Sequence, residues 1–327
     1  MNFYASREFL DAAALVYFKG QDAAIENVRI GDDVLRLLVI DGKKIVTRLL
    51  FLDFHLPLTA NEIVGPVRRG RDAQRVSRGI IDAEAWSGTQ QQGMDLAPFI
   101  DWSRFACFGD FQEQLLARHH GLVRDRERRG RALASKHGDV VFAMDDRNDD
   151  VLALARQWKG RQLREIGFPD FFENPQTMEF FEALRDRDLL VSSTLRAGGR
   201  LVSEWIGFVH EATWSGWIFT YDPAFKKYSA GHQLLIRMLE ESYRRGHREF
   251  DFSVGAPDYK MLYATHGRVL GSIGTPSLQR AAELFGRNLL NKHSPKLFAH
   301  ALRAKWAFDK ALKRGIVNPV VSVERGR

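Results

Sequence analysis

The 327-residue chain has a single cysteine, Cys107, which excludes an intrachain disulfide framework, and no cysteine–histidine group has the spacing of a zinc site. No metal is expected. Long apolar runs are missing too. Stretches such as Leu37-Leu38-Val39-Ile40 are short and flanked by charge, far below the ~20 residues that a membrane-spanning helix needs. The segment Met1-Asn2-Phe3-Tyr4-Ala5-Ser6-Arg7-Glu8 lacks a basic stretch followed by an apolar core, so no secretory signal is expected. A cytoplasmic protein is the default, with peripheral membrane contact left open. Most of the chain also lacks an excess of one charge. The total of 48 Lys plus Arg against 41 Asp plus Glu gives +7. Residues 276–327 hold 11 basic and three acidic residues, a net of +8, which leaves −1 for residues 1–275. A neutral body with a basic tail excludes reading the whole chain as a nucleic-acid binder from its charge.

What is present is ordinary globular material, 45% apolar and 27% charged, at a length that favours two domains. Arg7–Phe18 reads as a helix. Three strand-like runs follow, Ala24–Ile30, Val34–Ile40 and Lys44–Phe54, separated by the turn residues Gly31-Asp32-Asp33 and Asp41-Gly42. Residues 65–105 carry no clear period, and Arg68–Arg71 and Ser87–Gly93 look like loops. Phe111–Lys136 is a charge-rich helix whose Arg124–Arg131 stretch reads as a solvated face laced with ion pairs. Val140–Ala143 is a strand, and Asp150–Ile166 and Pro175–Leu184 are helices. The strands Leu189–Leu195, Arg200–His210 and Trp214–Tyr221 form a meander. Gly231–Arg245 reads as a helix, Arg248–Phe252 as a strand, Pro257–Thr265 as a short helix and Arg268–Ile273 as a last strand. The order predicts an α+β, mixed-sheet protein.

Two places carry chemistry. Lys226-Lys227-Tyr228-Ser229-Ala230-Gly231-His232 joins a strand to a long helix. Free N–H groups at a helix start, small residues at Ser229, Ala230 and Gly231, and two lysines suit a pyrophosphate. A capped helix start with two solvated lysines is the plain alternative. The second place is Phe250–Lys260. Alternation puts Asp251 on the face opposite Phe250 and Phe252, Gly255 permits a sharp exit, and Pro257 suits a first helical turn. Tyr259 and Tyr263 share a helix face, with Lys260 to one side. An Asp at a strand end beside Tyr259 and Lys260 suits acid–base work, against the plain alternative of a buried Asp251–Lys260 pair. Glu204 and His210 share a strand face and are reserve bases. Trp205, Phe208, Trp214, Trp217 and Phe219 read as core.

The string Tyr228-Ser229-Ala230-Gly231, a helix ending at Arg245-Gly246, then Phe250-Asp251-Phe252, Gly255 and Tyr259-Lys260 resembles the GNAT acyltransferase superfamily. Within it, the chain resembles CelD-like and FemAB-like proteins linked to cellulose or exopolysaccharide synthesis. The resemblance covers residues 105–275 best. It implies a GNAT fold in two tandem units, 1–104 and 105–275, followed by a basic helical tail, 276–327. It implies Lys226–His232 as the acyl-CoA loop, with acetyl-CoA or another acyl-CoA as donor. It implies Asp251, Tyr259 and Lys260 as the catalytic set and an amine of a small molecule or saccharide as acceptor. This chain has Lys226 where many members have Gln or Arg, and Ser229 in place of the first glycine. Tyr259-Lys260-Met261-Leu262-Tyr263 is similar to the Phe-Lys-x-x-Phe of FemABX relatives, which use aminoacyl-tRNA. A non-catalytic scaffold in polysaccharide synthesis is the reading from another class.

In the tail, Ser277–Leu290 and Lys296–Lys313 read as helices. The second carries a Leu297, Ala301, Ala304, Phe308, Ala311 stripe among basic residues. It suits packing on the domain, an anionic membrane surface, or tRNA. Nothing in the sequence sets the oligomeric state.

Overall fold

The computed structural model describes residues 2–86, 94–275 and the backbone strand 322–325. The loop reading of Ser87–Gly93 and the tail helices Ser277–Leu290 and Lys296–Lys313 lie outside the described residues. In chain order the elements are α1 (Arg7–Tyr17), β1 (Ala23–Ile30), β2 (Asp33–Ile40), β3 (Lys44–Arg48), β4 (Val67–Arg69), β5 (Asp72–Asp82) and β6 (Asp95–Asp101). Then come α2 (Phe108–His137), β7 (Val140–Ala143), α3 (Asp150–Glu165), α4 (Pro175–Arg185), β8 (Val191–Ala197), β9 (Arg200–His210) and β10 (Thr213–Tyr221). The last are α5 (Ala230–Arg244), β11 (Glu249–Asp251), α6 (Asp258–Met261), β12 (His266–Gly274) and β13 (Ser322–Arg325).

Two mixed sheets result, as the α+β expectation required. The first has the order β13-β3-β2-β1-β4, and the second β5-β12-β6-β11-β10-β9-β8-β7. β5 and β6 come from the stretch without a clear period. They pair with β11 and β12 in the second sheet, so the chain passes from the first sheet to the second near residue 71. Such pairing between strands far apart in the chain leaves no local sequence signal.

Helices cover both faces of the second sheet. On one face α2 and α5 bury Phe111, Leu115, Leu133, Leu234, Leu235, Met238 and Leu239 against Trp205, Trp214, Phe250 and Phe252. On the other, α1, α3 and α4 bury Phe9, Leu10, Leu152, Ala155, Phe180 and Phe181 against Ile206, Phe208 and Ile218. A third cluster, including Val28, Leu37 and Val39, joins the first sheet to Val76 of β5 and Ile273 of β12. Local signals set the helix starts. Ser6 accepts the Phe9 N–H, and Asn174 accepts the Gln176 N–H ahead of Pro175. The solvated face of α2 carries the expected pairs, with Arg128 and Arg129 both on Asp125.

Two features place the site. β10 and β11 run parallel only over Thr213–Ser215 and Glu249–Asp251, and β10 shifts register against β9 between Gly216 and Ile218. β3 stops at Arg48, short of the expected Phe54. The chain then turns at Phe51, whose φ of 61° is left-handed, and Asp53 departs toward the second sheet.

Candidate functional site

The turn from β10 to α5 forms as its residues dictate. Asp222 accepts the Ala224 N–H at 2.9 Å, and Pro223 opens a 3-10 turn over Pro223–Tyr228. Ser229 takes a left-handed φ of 55°, and α5 starts at Ala230. Lys226 and Lys227 are exposed, while Tyr228, Ala230 and Gly231 are buried. The smallness of Gly231 has a packing reason: a Cβ there would lie 2.8 Å from the Phe219 ring. α2 lies across the first turn of α5. Arg129 donates to the Lys227 carbonyl (3.2 Å), and the Gln233 amide donates to the Arg126 carbonyl (2.8 Å). His232 Nδ1 and Arg126 Nη1 lie 3.1 and 3.0 Å from the Tyr263 hydroxyl. Burial, aided by Arg126, lowers the His232 pKa to about 4, so it is neutral at pH 7. The turn therefore offers four cations, Arg126, Arg129, Lys226 and Lys227, around a helix start that the protein's own side chains cover.

Asp251 sits as the alternation required, facing away from the buried Phe250 and Phe252. Its Oδ1 accepts the Ser253 N–H at 2.7 Å, and Arg268 Nη1 lies 3.9 Å from Oδ2. Arg268 is itself held by Glu249 and stacks 4.1 Å from the Phe99 ring centroid. Burial raises the Asp251 pKa to about 6, and the positive charge of Arg268 limits the rise. Lys260, 8% exposed, donates from Nζ to the carbonyls of Val254 (2.9 Å) and Ser253 (3.3 Å). Burial lowers its pKa to about 8, opposed by the charges of Asp53 and Asp251. Ser253 and Gly255 both have positive φ, 63° and 94°, and this bend brings the two carbonyls to Lys260.

Tyr259 goes elsewhere. Its ring packs 5.5 Å from Phe219, on the α5 side, and burial raises its pKa. Of the reserve bases, His210 lines the same cavity as Asp251, and its Nε2 is buried with no partner among the described residues. Glu204 is buried in the second sheet within the field of Asp146, Asp150 and Arg196, and burial raises its pKa well above normal. Trp205 and Trp214 are core, as expected. Trp217 also serves the polar cluster, donating from Nε1 to the Tyr4 hydroxyl at 3.1 Å.

Tyr4 and Asp53 are the residues that sequence reasoning missed. Tyr4 Oη donates to Asp53 at 2.9 Å, and the Ser253 hydroxyl donates to the same carboxylate. The one available signal was an acid inside the apolar run Phe51-Leu52-Asp53-Phe54. A cavity of about 340 Å³ opens beside Tyr4, His210, Glu249, Asp251 and Arg268. A second, of about 220 Å³, is lined by Asp53, Arg75, Gln74 and Trp217. Among the described residues, no group of three or more His, Cys, Asp or Glu is arranged to hold a metal ion, and no helix is long and apolar enough to cross a membrane.

This architecture is the GNAT fold. Residues 122–261 match the family Acetyltransf_6, described as an acetyltransferase (GNAT) domain. The matched stretch runs from α2 through Lys260 and so contains both regions described above. No curated protein matches the chain. Among solved structures, FemX is similar at 9% identity and a TM-score of 0.50, covering 86% of this chain and 94% of its own. The C-terminal domain of a lysylphosphatidylglycerol synthetase, described as putative, from Agrobacterium fabrum is similar at 10% identity and a TM-score of 0.46, covering 86% and 96%. A tandem GNAT protein from the clavulanic acid biosynthesis pathway is similar at 12% identity and a TM-score of 0.37, covering 83% and 95%. At 9% identity the likeness to FemX is one of fold alone.

Proposed function

We propose that the protein is an N-acyltransferase in which an amine enters the 340 Å³ cavity and Asp251 accepts its proton. The observation that carries this reading is a carboxyl at the cavity wall with a pKa near 6, a few ångströms from a guanidinium and within the field of a buried lysine. Such a group is ionised at pH 7 yet basic enough to take a proton. The amine nitrogen attacks the acyl carbon, and the carbonyl oxygen gains negative charge. Lys260 spends two N–H groups on the Ser253 and Val254 carbonyls, and its third is free to donate to that oxygen. The bond to the leaving group then breaks, and the leaving group takes up the proton that Asp251 accepted, which restores the carboxylate.

The donor in this reading is an acyl-CoA, with acetyl-CoA first. Its phosphates meet Lys226, Lys227 and Arg129 at the start of α5, where the helix dipole adds to their charge. The acceptor is an amine of a small molecule or saccharide. The expected pH–rate profile is a bell, rising through about 6 as Asp251 ionises and falling through about 8 as Lys260 loses its proton. A second reading, transfer from an aminoacyl-tRNA, is favoured by one observation. The first turn of α5 is already covered by Arg126, Tyr263 and His232, so the donor need not be held there.

Titration calorimetry with CoA separates the two. The acyl-CoA reading expects heat of binding and slowed amide exchange at residues 226–232. No binding of CoA, together with aminoacyl-tRNA affinity that falls steeply with salt, reverses the choice. A chain that binds neither, and whose biological role survives Asp251→Asn and Lys260→Ala, is a scaffold instead.

A further inference from the structure

Ser253 is the point where three charged side chains converge. Its N–H donates to Asp251, its carbonyl receives Lys260, and its hydroxyl donates to Asp53. Asp53 is far from the other two in sequence. It lies in the connection between β3 and β4, two strands of the first sheet, while Asp251, Ser253 and Lys260 follow or end strands of the second.

The direction of each hydrogen bond can be deduced. Tyr4 Oη receives the Trp217 indole N–H at 3.1 Å, so its own proton is free to point at Asp53, 2.9 Å away. The Ser253 hydroxyl receives the Val254 N–H at 2.6 Å, so its proton is free for Asp53 as well. Asp53 thus accepts two donated protons, both on Oδ2; burial raises its pKa, and these two hydrogen bonds oppose the rise and favour the carboxylate. The charges that face this group come from several elements. Against the burial that raises the Asp53 pKa, Arg75 of β5 and Lys260 of α6 also favour its anion. Around Lys260, Asp53 and Asp251 favour the ammonium, and Lys159 of α3 opposes it. Asp53 is placed by its neighbour His55, which bridges to Val76 of β5 in the second sheet, its N–H donating to the Arg75 carbonyl and its carbonyl accepting the Ser77 N–H.

We propose that Asp53 is a positioning residue for Lys260. It anchors Ser253, and through it the carbonyl pair that receives Nζ, and it supplies the negative charge that keeps the buried ammonium protonated. The Lys260 site of the second sheet is complete only with a side chain carried by the β3–β4 connection. This inference rests on the acyl-transfer reading for its purpose but not for its geometry, so the two are tested separately.

The experiment uses the full chain with ¹³C-labelled lysine. The Lys260 Cε resonance is assigned by its loss in Lys260→Arg and followed through a pH titration. In Asp53→Asn the Lys260 midpoint moves down by about one pH unit or more, as expected when an opposite charge nearby is lost. In Asp53→Glu it returns toward the wild-type value. Tyr4→Phe removes one donor and keeps the carboxylate, so it leaves the midpoint near the wild-type value. In the transfer assay the falling limb of the pH–rate profile moves with the Lys260 midpoint, while KM for the amine is unchanged. A folded Asp53→Asn protein with an unmoved Lys260 midpoint overturns the inference. If Asp53→Asn does not fold, an unmoved midpoint in Ser253→Gly, which removes the hydroxyl held by Asp53 and suits the left-handed φ of 63°, overturns it. A midpoint that moves in a protein that transfers no acyl group leaves the positioning intact and rejects the acyl-transfer reading alone.

Discussion

Asp251→Asn is expected to stabilise the protein, and the effect is calculable. The folded chain holds the Asp251 carboxyl at a pKa of about 6, against an ordinary 3.8. A carboxyl whose pKa is raised by folding binds more protons in the folded state over the interval between the two values. Stability therefore falls as pH rises from about 4 to about 6, and the loss persists above that. A shift of roughly two units corresponds to ~3 kcal/mol at ~1.4 kcal/mol per unit. Asparagine keeps the acceptor for the Ser253 N–H, and Arg268 keeps Glu249, so the substitution removes the charge with little else. Urea unfolding of both proteins at each pH from 4 to 8 provides the measurement. The two curves should nearly coincide at pH 4 and separate by ~3 kcal/mol at pH 7–8, with the variant more stable and inactive in transfer. A variant less stable than wild type at pH 8, or a difference independent of pH, refutes the claim that Asp251 is held as a strained base.

The same linkage applies to Glu204, whose burial raises its pKa well above 4.5 and whose oxygens have no hydrogen-bond partner among the described residues. Glu204→Gln should match wild type near pH 4 and exceed it at pH 8 in urea midpoint, without loss of transfer activity. Lys260→Ala should reduce kcat by about 10²-fold or more, the scale of one lost oxyanion donor, while a circular-dichroism spectrum like wild type shows the fold intact. Gly216→Ala puts a Cβ 1.8 Å from Trp205 Nε1 and should cost about 3 kcal/mol in urea unfolding; a neutral result would mean that Trp205 has room to move. Replacing Lys226 and Lys227 together with alanine should weaken CoA binding about tenfold, with the gap closing at high salt; an unchanged Kd places the phosphates elsewhere.

Much of the fold was legible because its signals are local. The alternation of Phe250, Asp251 and Phe252 needs only the two-residue period of a strand, and the structure keeps it, with two rings in the core and the acid facing the cavity. The apolar stripe of α5 was readable for the same reason. Gly231 was read through its smallness as room for a ligand, whereas Phe219 fills that room. Smallness records that something comes close, and the partner is a tertiary fact. Tyr259 and Lys260 are adjacent in sequence, yet neighbouring residues on a helix point about 100° apart, so one meets Phe219 and the other Ser253. β5 and β6 escaped notice because their burial is decided by β11 and β12, which lie far along the chain.

By itself the sequence determined the α+β class, the order of most elements, the face of Asp251 and the division of charge between a neutral body and a basic tail. Each follows from side-chain period, turn chemistry or simple counting, which need no knowledge of distant neighbours. Only the tertiary structure decided that Asp53 and Tyr4 join Ser253, Asp251 and Lys260, and that α2 covers the start of α5. It also decided which carboxyls are forced toward neutrality. Those outcomes depend on withdrawal from water and on charges brought close by packing, and both are properties of the folded surroundings of a residue rather than of the residue.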